Sequence, residues 1–333
     1  MKTILGALVG LLVLAACGSD PGEPDGPAAP AAQAPATEIG GVPTRTESYR
    51  GVEVDVPATW GWGAAPSGET ADPDVMWCTD HQVHLPSGEV VTEAAPYVGR
   101  PAMFSDVCGD YHPTRLTPPD APYVWFGVPL EVGSATVGAW TIETREVAGV
   151  TVTVASRDDA ERAAILGSAR RLATDSTDSN GCPVRPQQAG GLSREGYGAI
   201  HGMAVCVYRP RSRQPSLLFA SARVEVAGAR AFVKAAYADE GALAPNTCPR
   251  TREAIDSVLL VVDSDDDFGT PGARQHPQFV VDTSCGVLVD PHGTTQPLTR
   301  ALVRPWAVPI VRAYVGAPLD RPGVQEYFRM RMG

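Results

Sequence analysis

The chain has 333 residues and a mass of 35.0 kDa, room for about two domains at roughly 100–200 residues each. Its 38 acidic and 27 basic side chains give a formal net charge of −11; without a long basic run this argues against nucleic acid, whose binding rests on phosphate neutralisation. The hydrophobic fraction is 44%, with 34 Gly and 31 Pro, a loop-rich composition below the roughly 25–30% Gly plus Pro at which disorder becomes the default.

Residues 1–17 read MKTILGALVGLLVLAAC. Lys2 precedes an apolar run from Ile4 to Ala16, shorter than the ~20 residues that span a bilayer and of the length of a signal-peptide h-region. The end of that run, Leu14-Ala15-Ala16-Cys17, resembles the lipobox of bacterial lipoprotein precursors. The resemblance implies that residues 1–16 are a signal peptide. It also implies that Cys17 is lipidated with acyl chains such as palmitate, and that the mature chain sits on the extracytoplasmic face of the cell membrane. Two acyl chains hold where a single one binds marginally, each buried methylene contributing about 0.8 kcal/mol. The competing reading is an ordinary secretory signal with a chance cysteine. Lys2 and Lys234 stand against 25 arginines, which fits a GC-rich genome, and the chain resembles lipoproteins of high-GC Gram-positive bacteria.

Residues 18–47 hold 17 Gly, Ala or Pro among 30 residues, no aromatic, and only Ile39 and Val42 as branched aliphatics. So little apolar surface cannot offset chain entropy, and residues 17–47 are expected to be a disordered tether behind the lipidated cysteine. The first domain is expected over 48–175. Val52, Val54 and Val56 alternate as a strand that Pro57 stops, Trp140 and Ile142 mark another, and Val150, Val152 and Val154 a third. Asp158, three residues before Glu161, opens a helix expected over 158–172, with Arg170 and Arg171 placed to complement its dipole. The polar stretch 173–181 (ATDSTDSNG) reads as the domain boundary.

The second domain is expected over 180–333. Met203 to Val207 and Leu218 to Val226 read as a hairpin, and 229–239 as a helix. Val258 to Val262 reads as a buried strand, and Phe279 to Val281 with Val287 to Val289 as paired or bulged strands. The apolar segment 297–316 is expected to be a helix that Pro305 and Pro309 kink or split. The fold class is therefore α+β, with two disulfide-stabilised domains, each of strands followed by a packing helix. In the first domain an opening strand ends in Pro57-Ala58-Thr59-Trp60 and a helix closes the domain. At the level of pattern it resembles the PsbP/Mog1-like sandwich, and no function is carried over from that resemblance.

Setting Cys17 aside leaves Cys78, Cys108, Cys182, Cys206, Cys248 and Cys285. An even remainder in an exported chain predicts disulfides. The boundary isolates Cys78 with Cys108, and nearest-neighbour pairing gives Cys182–Cys206 and Cys248–Cys285 as hypotheses.

Candidate chemistry is sparse. Cys78, His81 and His84, with Cys108, Asp110 and His112, could be written as a zinc set, but thiols in an oxidising compartment are expected to pair with one another, so neither metal nor cofactor is expected. The run Asp263 to Asp267 breaks the calcium-loop pattern, with Phe268 where Gly is needed. Trp60 and Trp62, in TWGWG, either fill a small core or present an aromatic surface on which sugar rings stack. Arg209, Arg211 and Arg213 beside Tyr208 form either a solvated turn or a contact for anionic polymer. The sequence carries no Gly-x-Ser-x-Gly, P-loop or His-Glu-x-x-His motif. The expectation is a lipid-anchored envelope protein that binds a cell-wall polymer or an envelope protein. The alternative is an extracytoplasmic hydrolase in which a Ser or carboxylate meets His81, His84 or His112.

Overall fold

The computed structural model describes residues 38–66, 82–92, 94–101, 118–186, 199–211, 214–238, 257–264, 276–282 and 286–319, all within one compact unit, residues 33–333. In chain order the strands begin with β1 (Glu38–Ile39), β2 (Val42–Tyr49), β3 (Val52–Pro57), β4 (Gly61–Ala65), β5 (Val83–His84) and β6 (Val90–Val91). They continue with β7 (Tyr97–Pro101), β8 (Tyr123–Phe126), β9 (Gly133–Val137), β10 (Trp140–Val147) and β11 (Val150–Ser156). Helix α1 (Asp159–Ser168) and the short β12 (Arg170–Arg171) follow, then the long hairpin β13 (Ile200–Arg211) and β14 (Gln214–Val224), and helix α2 (Val226–Ala236). The rest comprises β15 (Ser257–Ser264), β16 (Gln278–Asp282), β17 (Val287–Val289), β18 (Thr295–Pro297), α3 (Arg300–Val303) and α4 (Pro309–Leu319).

The strands form three sheets, ordered β1-β2-β3-β12, β6-β5-β4-β7-β8-β11-β10-β9 and β14-β13-β15-β16-β17-β18. Pairing is antiparallel except at β4–β7 and β7–β8, which are parallel. Two hairpins turn through two-residue loops in which a non-glycine residue takes positive φ. Arg50-Gly51 joins β2 to β3, and Ala148-Gly149 joins β10 to β11. Left-handed φ at both loop residues is the type I′ geometry that matches strand twist.

Local readings hold where the period is strong. Asp158 caps α1, its side chain accepting from the Ala160 and Glu161 backbone N–H groups. The hairpin 200–224, the helix after it, the buried strand at 258–262 and the β16–β17 pair are all present. The apolar C-terminal segment is split, as its prolines require, into α3 and α4 with Pro309 opening the second helix.

Three readings are corrected. Strand pairing begins at Glu38, inside the stretch read as a tether, and β2 carries the buried residues Glu47, Ser48 and Tyr49. Its sequence, VPTRTESY, lacks apolar alternation because its polar side chains are buried against partners instead of facing water. Helix α1 stops at Ser168; Arg170 and Arg171 leave it to pair with Glu53 and Val52 of β3. Arg170 serves buried carboxylates on β3 and not the helix dipole.

The fold is mixed α+β, but not two disulfide-stapled domains each closed by a helix. A chain of rings links the halves. Phe126 of β8 lies 5.6 Å from Tyr49 of β2, Tyr49 5.6 Å from Phe219 of β14, and Phe219 5.3 Å from Tyr314 of α4. All four belong to one hydrophobic core with Val54, Val152, Val205 and Trp306. A bulge in β14, where Tyr208 pairs with Leu218 and Val207 with Ala220, frees Phe219 for this core. Arg50 N–H, at the β2–β3 turn, donates to Leu218 O at 2.6 Å.

Candidate functional site

A buried ion-pair cluster lies where β2, β4, β7 and α4 meet. Glu47 and Arg100 are 3% and 0% exposed. Arg100 Nη2 donates to Glu47 Oε2 at 2.7 Å and to Ser48 O at 3.0 Å, and Nη1 to the Tyr314 hydroxyl at 3.2 Å. The other carboxylate oxygen accepts from Arg45 Nε at 2.6 Å and from the Trp62 indole N–H at 2.8 Å. Arg45 stacks on the Trp62 ring at 4.2 Å and donates to the carbonyls of Ala58 and Trp60. The Tyr314 hydroxyl lies 3.1 Å from Gly63 O and 3.0 Å from Val98 O, the two acceptors for its proton.

The electrostatics follow from this packing. Burial opposes ionisation of Glu47, but the guanidiniums of Arg45 and Arg100 outweigh it and hold the carboxyl below its usual range. Burial likewise disfavours the charge on Arg100, and Tyr314 and Glu47 reverse that effect. Burial raises the Tyr314 phenol, so it remains a neutral donor.

A second polar cluster is built from the segment expected to be an exposed boundary. Asp178, 5% exposed, accepts from Cys182 N–H at 2.7 Å, Asn180 N–H at 3.0 Å and the Ser221 hydroxyl. Ser179 donates from N–H and hydroxyl to Glu53 at 2.6 and 2.7 Å. Arg170 reaches Glu53 at 2.7 Å and Asp55 at 3.1 Å. Burial pushes Asp178 above its usual range, and the Ser221 and Cys182 hydrogen bonds only partly offset it. The same burial, with the Asp178 charge, raises Tyr208, whose hydroxyl donates to Pro183 O at 2.7 Å.

These two clusters bring together residues that sequence reading did not single out: Glu47, Arg100, Tyr314, Glu53, Asp178 and Ser221. No local motif marks them, because Arg100 and Tyr314 are 214 positions apart. Their geometry is that of charges held by one another. The Ser221–Asp178 contact is a serine–carboxylate pair whose hydroxyl also accepts from Asn180 Nδ2 at 2.9 Å.

The residues read from sequence fare differently. Cys182 and Cys206 are joined by a disulfide, buried on the face of the six-stranded sheet opposite the main core. Cys17, Cys78, Cys108, Cys248 and Cys285 lie outside the described residues, as do His81, Asp110 and His112. Trp60 and Trp62 are 4% and 7% exposed and join the main core. They form no outward aromatic surface, because Trp62 sits on a strand flanked on both sides and spends its N–H on Glu47. Arg209 turns inward, over the Phe219 ring at 4.2 Å, and donates to Tyr314 O at 2.6 Å. Asp263 pairs with Arg223 at 2.5 Å. His84 ends β5 and His201 is exposed on β13, while His276 and His292 are half-buried.

Among the described residues no cluster of three or more His, Cys, Asp or Glu is arranged to hold a metal ion, and no helix is long and apolar enough to cross a membrane. No family model, curated protein or solved structure matches the chain.

Proposed function

We propose that this is a lipid-anchored protein of the cell envelope that works by binding and not by covalent chemistry. The sequence MKTILGALVGLLVLAAC supplies the leader and the acceptor thiol, Cys17. The observation that carries the extracytoplasmic address is the buried Cys182–Cys206 bond, which suits an oxidising compartment. The binding role is supported by the way the buried ionisable groups are spent. Glu47, Glu53 and Asp55 are each neutralised by an arginine, and Asp178 is enclosed by backbone N–H groups and Ser221. Such groups position strands and do not turn over substrate. The test is metabolic labelling with a palmitate analogue in the native host. The wild-type chain takes up label in the membrane fraction and Cys17→Ser takes up none. Equal labelling of both, or of neither, contradicts the reading. Capture from envelope extracts with the labelled chain then identifies what it binds.

A further inference from the structure

Helix α2 packs on β13, α3 on α2, and α4 on β13 and β14 as well as on β4 and β5. Phe232, Leu302, Trp306 and Ile310 pack with Val205, Leu260 and Val281 of the six-stranded sheet. The sides of these helices turned away from the sheet carry one sign of charge. Arg230 and Lys234 are exposed one turn apart on α2, Arg300 and Arg304 are exposed at the two ends of α3, and Arg312 is exposed on α4. The three helices contain no Asp or Glu; Glu225 precedes α2 at its N-cap and Asp320 follows α4 in sequence. The helices are neighbours: Pro305 O lies 3.8 Å from where a Cβ on Gly228 would stand, and Arg312 Nε donates to Ala307 O at 2.8 Å, in the α3–α4 turn.

Elsewhere arginines meet carboxylates, as in Arg45–Glu47, Arg145–Glu143, Arg162–Asp159, Arg170–Glu53 and Arg223–Asp263. The four side chains Arg230, Lys234, Arg300 and Arg304 have no such partner among the described residues. Among the described residues outside these helices acids outnumber Lys and Arg, so the helices present a cationic face on an acidic remainder.

We infer that the face of α2 and α3 bearing Arg230, Lys234, Arg300 and Arg304 docks on anionic phospholipid headgroups of the membrane that holds the lipid anchor. The inference rests on the proposed anchoring, which keeps the domain within reach of that surface. Charge complementarity selects the face: the acidic remainder is repelled, so the molecule settles with its six-stranded sheet behind the helices and its opposite side free. Each basic side chain near an anionic surface strengthens binding about fivefold, and the attraction fades as the Debye length shrinks to about 3 Å in 1 M salt.

The experiment is flotation of the full chain as Cys17→Ser, which carries no acyl group, with vesicles of phosphatidylcholine alone and with about a third phosphatidylglycerol. Low-salt binding to anionic vesicles is expected to exceed that to neutral ones by about 100-fold or more. The exposed double reversals Arg230→Glu/Lys234→Glu and Arg300→Glu/Arg304→Glu should each cut that ratio at least tenfold, with circular dichroism unchanged. Arg145→Glu, on the eight-stranded sheet, should leave it intact. An undiminished ratio in both double variants, or an equal loss in Arg145→Glu, overturns the inference. Failure of the anchor reads out separately, as palmitate labelling that does not depend on Cys17, and leaves the ratio between vesicles untouched.

Discussion

Glu47 holds two guanidiniums and an indole on one carboxylate while almost fully buried, so it is the residue at which a single change should cost most. Glu47→Gln leaves Arg100 charged and dry, and breaking a buried pair from one side costs about 3–5 kcal/mol; the urea midpoint should fall accordingly. Tyr314→Phe removes only a hydroxyl and should cost about 1–3 kcal/mol. Glu47 beside two guanidiniums and Asp178 with none give opposite pH signatures. Because the folded state depresses Glu47, its contribution is present above the unfolded carboxylate range, near pH ~4.3, and is lost as pH falls through the lower folded value. Asp178 is raised, so the folded state binds the proton more tightly, and stability falls as pH climbs from ~3.9 through its folded value. Asp178→Asn keeps an acceptor for the Asn180 and Cys182 N–H groups and should abolish that decline in denaturation measured across pH. None of these residues stands out in the sequence. A buried charge looks like a surface charge until its partner, here 53 positions away for Glu47 and Arg100, is known.

At the scale of elements the sequence is most legible where period and caps agree. Val150 to Val154 alternate beside a sheet neighbour on each side, and Asp158 announces α1 by its own side chain. Asp158→Ala should therefore cost about 1 kcal/mol. Strand β2 was illegible for the opposite reason: its buried face is polar and compensated by cross-strand and cross-sheet partners such as Thr46–Asp55 and Glu47–Arg100. The end of α1 is ambiguous in the sequence because Arg170 and Arg171 suit a helix terminus as well as they suit a strand beside acids. Turn geometry offers a gain. Ala148 sits exposed at φ 51° in a two-residue turn before Gly149, and an alanine there carries a steric cost that Asn largely avoids. Ala148→Asn should stabilise by about 0.5–1 kcal/mol in thermal or denaturant unfolding.

At the scale of the whole molecule, the polar composition of 173–181 reads as a domain boundary, yet Asp178 and Ser179 fix β3 to β14 through Glu53 and Ser221. Composition describes what a segment contains, and only topology shows that Asp178 within it is enclosed. A chain ending at residue 175 would lose Phe219 and Tyr314 from the shared ring stack and should fail to fold, shown by collapsed amide dispersion in its spectrum. The Cys182–Cys206 bond closes 24 positions and should contribute about 3–4 kcal/mol, read as the shift in unfolding midpoint on replacing both cysteines by serine. The proposed function draws on the N-terminus because a lipobox is a short linear motif, whereas a binding face is assembled by the fold. The measurement that bears most directly on the whole reading is the intact mass of the protein taken from its native membrane. The account predicts a chain starting at Cys17 and carrying the mass of a diacylglyceryl group; an unmodified chain that still begins at Met1 would contradict it.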